Sequence, residues 1–290
     1  RKPKLKIGYS FLVCNSLLNS RRMIYRAISE ARMMSNFHVY NTEVRYKENL
    51  QQIILDEQIR TVYQPIVYSK SGEIFSYEAL SRGPQDTEFF NPLFLFEVAK
   101  DSELLFELDN VCRKKAIDNA VEIDPNLKLF INALPSTIHE PTFRDEYLQE
   151  FLKKYHLKAE NLVFEITESL AIQNYETFME DIRSYTDLGY QIALDDTGTG
   201  YSSFETILRV KPHYIKIDIT MIRNVDTDPL KQTMIRALVN IAKSINARSI
   251  AEGVETVSEY RQVQELGVDF CQGYLFAKPG PPFPSVQKFV

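Results

Sequence analysis

The chain is constrained above all by a rhythm that begins at Thr61. Short β-type segments recur at VYQPIVY (62–68), IFSYEAL (74–80), KLFIN (128–132), LVFEIT (162–167), QIALDD (191–196), YIKID (214–218), RSIAEGV (248–254) and FCQGYLF (270–276), eight in all. Stretches of helical period, 144–156, 174–188, 228–246 and 256–266, stand between many of them. Alternating β and α segments imply parallel strands with crossover helices, and eight of them imply a closed (β/α)8 barrel of the TIM type. One connection departs from this plan. Segments 62–68 and 74–80 are joined only by Ser69-Lys70-Ser71-Gly72-Glu73, a hairpin-length link, whereas a parallel crossover needs about a dozen residues or more. The first strand is therefore expected to run antiparallel to its neighbour.

The first 46 residues read as a short α/β fragment apart from a main body at 47–290. A strand is expected over 5–13. A helix is expected over 20–35, with Ser20 as its N-cap and Met23, Ile24, Ala27, Ile28, Ala31 and Met34 on one face, then a short strand at 38–40. These elements are too few to bury a core of their own. The polar run Asn41–Asn49 is the expected link, and an amphipathic helix near 44–58 leads into the barrel. Because the chain opens at Arg1 rather than Met, it is expected to be a piece of a longer protein.

Composition excludes several classes. With 34 Lys+Arg against 39 Asp+Glu the net charge is -5, the wrong sign for a nucleic-acid coat. No apolar run approaches the roughly 18 residues of a membrane span, and no signal-peptide pattern is present. Contact with a nucleic-acid polymer or a membrane is thus not expected of this segment, and a cytoplasmic setting is. Cys14, Cys112 and Cys271 are odd in number and far apart, and the four histidines lack metal-ligand spacing, so neither a disulfide framework nor a zinc site is expected.

The acids are informative by position. Glu78, Asn132, Glu165, Asp195, Asp218 and Glu252 each fall near the C-terminal end of a different strand candidate, and in a barrel of this type those ends form the active-site face. Adjacent residues on a regular strand point to opposite sides, so Asp195 and Asp196 can share a site only where the strand ends, and Gly198 and Gly200 would allow that turn. Several converging carboxylates repel one another unless a cation sits among them. The donors are oxygens, which suits Mg²⁺ or Mn²⁺, with Ca²⁺ able to compete, and the surplus of acids points to a pair of ions of the kind that promotes phosphoryl displacement. The competing reading is that strand-end acids cap the following helices. Lys216 has a rival reading as a Schiff-base nucleophile, weakened by acidic surroundings that keep it charged. Residues 198–203 match part of a dinucleotide fingerprint but lack its third glycine.

Glu78-Ala79-Leu80-Ser81-Arg82 is an EAL signature. With Gln64-Pro65-Ile66, Ile131-Asn132, Glu165-Ile166-Thr167-Glu168, Asp195-Asp196-x-Gly198-Thr199-Gly200, Lys216-Ile217-Asp218, Glu252-Gly253-Val254-Glu255 and Gln272-Gly273-Tyr274, the chain from Gln64 onward resembles EAL-domain cyclic-di-GMP phosphodiesterases. The resemblance implies hydrolysis of cyclic-di-GMP to linear pGpG by a water activated between two Mg²⁺ or Mn²⁺ ions, with Ca²⁺ inhibiting. It implies that Glu78, Asn132, Glu165 and Asp195 hold the first ion, and that Asp195 bridges to a second also bound by Asp196. Glu252 would be a second-site ligand or base, Lys216 would orient the water, and Asp218 and Glu255 would support this shell. Gln64, Arg82 and Gln272 would meet the substrate, Glu168 would brace the loop after Asp196, and a homodimer is implied. The family usually carries Phe where this chain has Thr197. Residues 1–46 resemble the end of a GGDEF-type domain. The alternative from another class is a receptor that holds the dinucleotide without cleaving it.

Overall fold

The structure, a computed structural model, describes residues 7, 9–10, 20–134, 146–167, 175–198 and 203–287. Strands β1 (Arg60–Tyr68), β2 (Ile74–Arg82), β3 (Lys128–Asn132), β4 (Leu162–Thr167), β5 (Gln191–Thr197), β6 (Tyr214–Ile217), β7 (Arg248–Ala251) and β8 (Phe270–Gln272) close in chain order into a barrel. β1 runs antiparallel to both β2 and β8, and the remaining neighbours are parallel. The five-residue link after β1 thus has the consequence expected of its length.

Helices sheathe the barrel: α1 (Ser20–Leu55), α2 (Pro92–Asp101), α3 (Leu105–Asp118), α4 (Glu146–Lys154), α5 (Tyr175–Asp187), α6 (Ser203–Val210), α7 (Ile219–Ile222), α8 (Pro229–Ser244) and α9 (Val257–Glu265). The outward residues of β2–β5, among them Tyr77, Leu129, Phe164 and Ile192, are buried in one cluster with Ile117, Leu148 and Ile182 of α3, α4 and α5. Those of β6–β8, Ile215, Ile217, Ala251 and Cys271, are buried with Ile235 and Val239 of α8 and Val263 of α9. Cys112 and Cys271 are buried and unbridged. Among the described residues, no helix is long and apolar enough to cross a membrane.

The N-terminal region differs from expectation. Residues 38–40 form no strand, and 41–49 no link, because both lie inside the continuous helix α1. No Pro or Gly interrupts 20–55, so nothing stops the helix, and a three-residue β-type run cannot outweigh helical neighbours on both sides. The last turns are held by Leu50 and Ile53, buried against Phe89, Leu95 and Leu108. The strand expected over 5–13 lies mostly outside the described residues, and Ile7, Tyr9 and Ser10 are in no strand.

The barrel interior is built in layers because side chains alternate along a strand. Phe130, Val163, Ala193, Tyr214, Ile250 and Phe270 point inward and form one buried cluster with Ile66. Phe75 joins them through a β-bulge: Ile66 pairs with Ser76 and Val67 with Ile74, leaving Phe75 as the extra residue. Its ring stacks on Phe270 at 4.0 Å. Two residues further along each of β3–β8 comes a polar side chain: Asn132, Glu165, Asp195, Lys216, Glu252 and Gln272. A polar tier therefore lies directly on an aromatic and aliphatic floor.

Beyond β8 the chain turns at Gly273, where a Cβ would lie 2.0 Å from the Val254 carbonyl oxygen. That oxygen accepts from Leu275 N, and Val254 N donates to Gln272 O, so the two loops cannot separate. Gly273→Ala is expected to cost about 3 kcal/mol or more, read as a lower midpoint in urea unfolding. An unchanged midpoint would show that the contact yields freely.

Candidate active site

Lys216 occupies the centre of the polar tier. Its Nζ lies 2.7 Å from Glu165 Oε1, 2.8 Å from Glu252 Oε1, 3.2 Å from Asp195 Oδ1 and 3.6 Å from Glu78 Oε1. The residue is 1% exposed. Burial alone would lower the ammonium pKa, but the charges of Asp195, Glu165, Glu252 and Glu78 outweigh it and hold the pKa well above the ordinary value. A permanently charged ammonium has no lone pair for Schiff-base chemistry.

One cation does not balance this many acids. Burial and then the charge of Glu78 push the Glu165 carboxyl well above its usual range. Burial and then Asp195 do the same to Glu252. For Glu78 burial acts the same way, but the attraction of Lys216 prevails and holds the group low. Asp196 is pushed up to about 6 by partial burial and by Asp195 and Asp218.

Asp195 and Asp196 reach the site together by a device other than a strand end. Leu194 pairs with Ile215 and Thr197 with Ile217, so the two aspartates face the single Lys216 across a bulge. Asp196 takes the left-handed conformation, φ 55. The strand continues to Thr197, which is fully buried and whose Oγ1 donates to Leu194 O at 3.4 Å across the bulge. Carboxylate oxygens of Asp195, Asp196 and Glu252 lie within 4.8 Å of one another.

A second group is fixed by amides. Gln272 Nε2 donates to Glu78 Oε2 at 2.5 Å and to Gln64 Oε1 at 3.1 Å, and Gln64 Nε2 donates to Ala277 O at 3.1 Å. Asn132 Nδ2 donates to Glu78 Oε1 at 3.3 Å. Arg82 is half-buried at the end of β2, and its Nη1 donates to Ser81 O.

The structure thus brings together Glu78, Asn132, Glu165, Asp195, Asp196, Lys216, Glu252, Gln64 and Gln272. Two further candidates have partners of their own: Asp218, whose charge reaches Asp196, and Glu255. Asp218 Oδ1 caps α7, accepting from Thr220 N at 2.8 Å and Thr220 Oγ1 at 2.5 Å. Glu255 accepts from Arg223 Nη1 at 2.7 Å in an ion pair whose partners are both more than a third exposed, so its carboxylate braces the neighbouring loop instead of entering the cluster. Glu168 and the stretch 199–202 lie outside the described residues. Glu259 ties the loop after Glu252 to the turn after α7: its carboxylate accepts from the backbone N–H groups of Asn224, Glu255 and Thr256 at 3.0, 3.0 and 3.1 Å. The Thr256-x-x-Glu259 capping box is its sequence signal.

The donor set fits a hard divalent cation. Glu165 Oε1 and Oε2 and Asp195 Oδ1 are buried without an aligned hydrogen-bond donor, although two of these atoms are close to Lys216 Nζ. Buried anionic oxygens of this kind are ordinarily satisfied by a donor or a metal, and the cluster holds neither thiolate nor imidazole.

The EAL domain family model matches residues 47–279. The cyclic di-GMP phosphodiesterase PdeR of Escherichia coli is 32% identical over 239 residues, which cover 80% of this chain and 36% of that protein. An uncharacterized signaling protein of Caulobacter vibrioides is 28% identical over 272 residues, 91% of this chain and 34% of that protein. The chain spans about a third of the length of these relatives. Among solved structures, a standalone EAL protein from Vibrio cholerae in a c-di-GMP bound form matches with TM-score 0.68 and 33% identity over 79% of this chain and 95% of that one. Klebsiella pneumoniae BlrP1 in a manganese/cy-diGMP complex matches with TM-score 0.68 and 27% identity, over 77% of this chain and 56% of that one.

The electrostatics set a pH dependence. Groups whose pKa is raised on folding stabilise the fold when protonated, and that contribution is lost as pH rises through the folded value. For Asp196 the window runs from the ordinary aspartate range up to about 6, and Glu165 and Glu252, also raised, add the same sign. Without metal, the melting temperature should rise as pH falls from roughly 7 to 5. Saturating Mn²⁺ should reverse the trend, because ligand carboxyls must be deprotonated. A metal-free melting temperature that is flat or falls over this range would contradict the assignment.

Proposed function

The chain belongs to the EAL domain family, and on that premise we propose that it hydrolyses cyclic di-GMP to linear pGpG with two divalent ions, Mg²⁺ or Mn²⁺, at the barrel rim. The observation that carries this reading is the convergence of the carboxylates of Glu78, Glu165, Asp195 and Glu252 on a single buried cation, Lys216. Glu78, Asn132, Glu165 and Asp195 would hold one ion, and Asp195, Asp196 and Glu252 the other. Bound there, the ions would polarise the phosphodiester and lower the pKa of the attacking water.

The chain's own groups have separate tasks. The Lys216 ammonium offsets negative charge that develops on phosphate oxygens. Where it does not ligate the second ion, Glu252 would accept the proton of the attacking water at a carboxylate oxygen. Gln272 and Gln64 fix the orientation of Glu78, and Gln272 Oε1, buried without a donor, is placed to accept a hydrogen bond from bound ligand. Arg82 offers a forked donor to a phosphate oxygen. Ca²⁺, with looser coordination and longer bonds, would occupy the ligands without supporting turnover.

The region before residue 47 we read as the end of a GGDEF-type domain, continuous with the barrel through α1. A homodimer is favoured by exposed Phe204 and Leu208 on α6 and Leu230 and Met234 on α8, and a cytoplasmic setting by the unbridged buried thiols.

The direct test is incubation with cyclic di-GMP, with and without Mn²⁺, and chromatography for pGpG. Metal-dependent pGpG is expected, and Glu78→Ala should lower kcat by about 100-fold or more. Tight binding of cyclic di-GMP with no pGpG over hours would replace this reading with that of a receptor. Thr197→Phe should shift Mn²⁺ affinity, because the side chain lies in the bulge that presents Asp195 and Asp196. Unchanged affinity would make the substitution neutral.

A further inference from the structure

A buried ion pair that takes no part in this chemistry lies behind the site. On α3, Arg113 Nε is 2.8 Å from Asp109 Oδ2, with the Arg113 side chain fully buried and that of Asp109 7% exposed. Arg113 Nη1 donates to Tyr185 Oη at 3.1 Å and Nη2 to Asn110 Oδ1 at 2.5 Å. The other carboxylate oxygen, Asp109 Oδ1, accepts from the backbone N–H of Leu134 at 3.2 Å.

Leu134 stands two residues after Asn132, where the sheet no longer holds the chain. Pairing of β3 with β2 ends at Ile131, and pairing with β4 ends at Asn132. Past that point Ala133 N donates to Glu165 O at 3.0 Å on one side, and Asp109 holds Leu134 on the other. The segment 132–134 is thus clamped between β4 and α3, and its first residue points the carboxamide at Glu78 Oε1. Buried charges cost more than an apolar pair of similar volume. An anionic oxygen is nonetheless a strong, short-range acceptor for a backbone N–H, and Arg113 lets that anion exist in the interior.

We infer that Asp109, held by Arg113, is a positioning residue: by anchoring Leu134 N–H it fixes the exit of β3 and aims the Asn132 carboxamide at the metal-binding cluster. The inference rests on the metal-dependent reading above. It concerns metal affinity, so it can fail or stand independently of turnover.

The test compares two double variants that both lack the buried charges. Asp109→Asn with Arg113→Met keeps an amide oxygen opposite Leu134 N–H, and Asp109→Leu with Arg113→Met removes it. Replacing both charged partners avoids a lone buried ion, and circular dichroism checks that both variants fold. By calorimetric titration with Mn²⁺, the Leu variant should bind about tenfold more weakly than the Asn variant. With Asn132→Ala added to each, the difference should shrink to less than about twofold, because the oxygen acts through Asn132. Equal affinities, or a difference that survives Asn132→Ala, would overturn the inference and leave the pair a structural link between α3 and α5. Cyclic di-GMP turnover of the unmodified protein is measured in parallel. Its absence, with the Mn²⁺ coupling present, would sink the hydrolytic reading and leave the positioning role standing.

Discussion

Everything at the rim depends on the Lys216 ammonium and the acids it holds together. Four carboxylates, three on strands and Glu252 just past β7, lie within 4 Å of its Nζ. Like charges at such distances in a low-dielectric interior cannot all remain ionised. Lys216 relieves part of the repulsion, and Glu165 and Glu252 relieve more by holding protons to higher pH. Protons therefore relieve the cluster in part, and a divalent cation would compete for the same oxygens.

The tier beneath sets the terms of that competition. Phe75, Phe130, Tyr214 and Phe270 form a floor with ring centroids 4.0–6.4 Å apart. A dry floor strengthens each electrostatic contact above it and raises the cost of each unpaired oxygen. Two bulges tune this plan. The one at Phe75 adds a ring to the floor, and the one at Asp195-Asp196 adds a second carboxylate to the rim. Both are departures from period two, and both serve the site more than the fold.

That is also where reading the sequence reached its limit. The triplets Phe130-Ile131-Asn132, Tyr214-Ile215-Lys216 and Phe270-Cys271-Gln272 state the layering openly, because alternation is written residue by residue. The antiparallel β1 was equally legible from a link too short to cross over. A bulge leaves no comparable mark: Asp195-Asp196 reads as a strand end, and only pairing with β6 reveals a strand that continues to Thr197. Glu255 enters only through the family resemblance, and past the turn at Gly253, φ 65, its carboxylate pairs with Arg223. The His38–Tyr40 run failed as a strand for a different reason. Local β preference competes with a helix that no residue interrupts, and the helix is anchored downstream by Leu50 and Ile53.

The same contrast favours Lys216 as an electrostatic group over Lys216 as a nucleophile. A lysine activated for attack needs a depressed pKa, obtained by burial among apolar or cationic neighbours. Lys216 has the burial but not the neighbours, and four anions more than reverse the desolvation effect. A charge fixed this firmly gives no proton and takes none across the working pH range. What it can do is sit still while negative charge grows nearby. Stabilisation of this kind is strongest where the charge is held in place, and Lys216, 1% exposed above the aromatic floor, is held by four carboxylates.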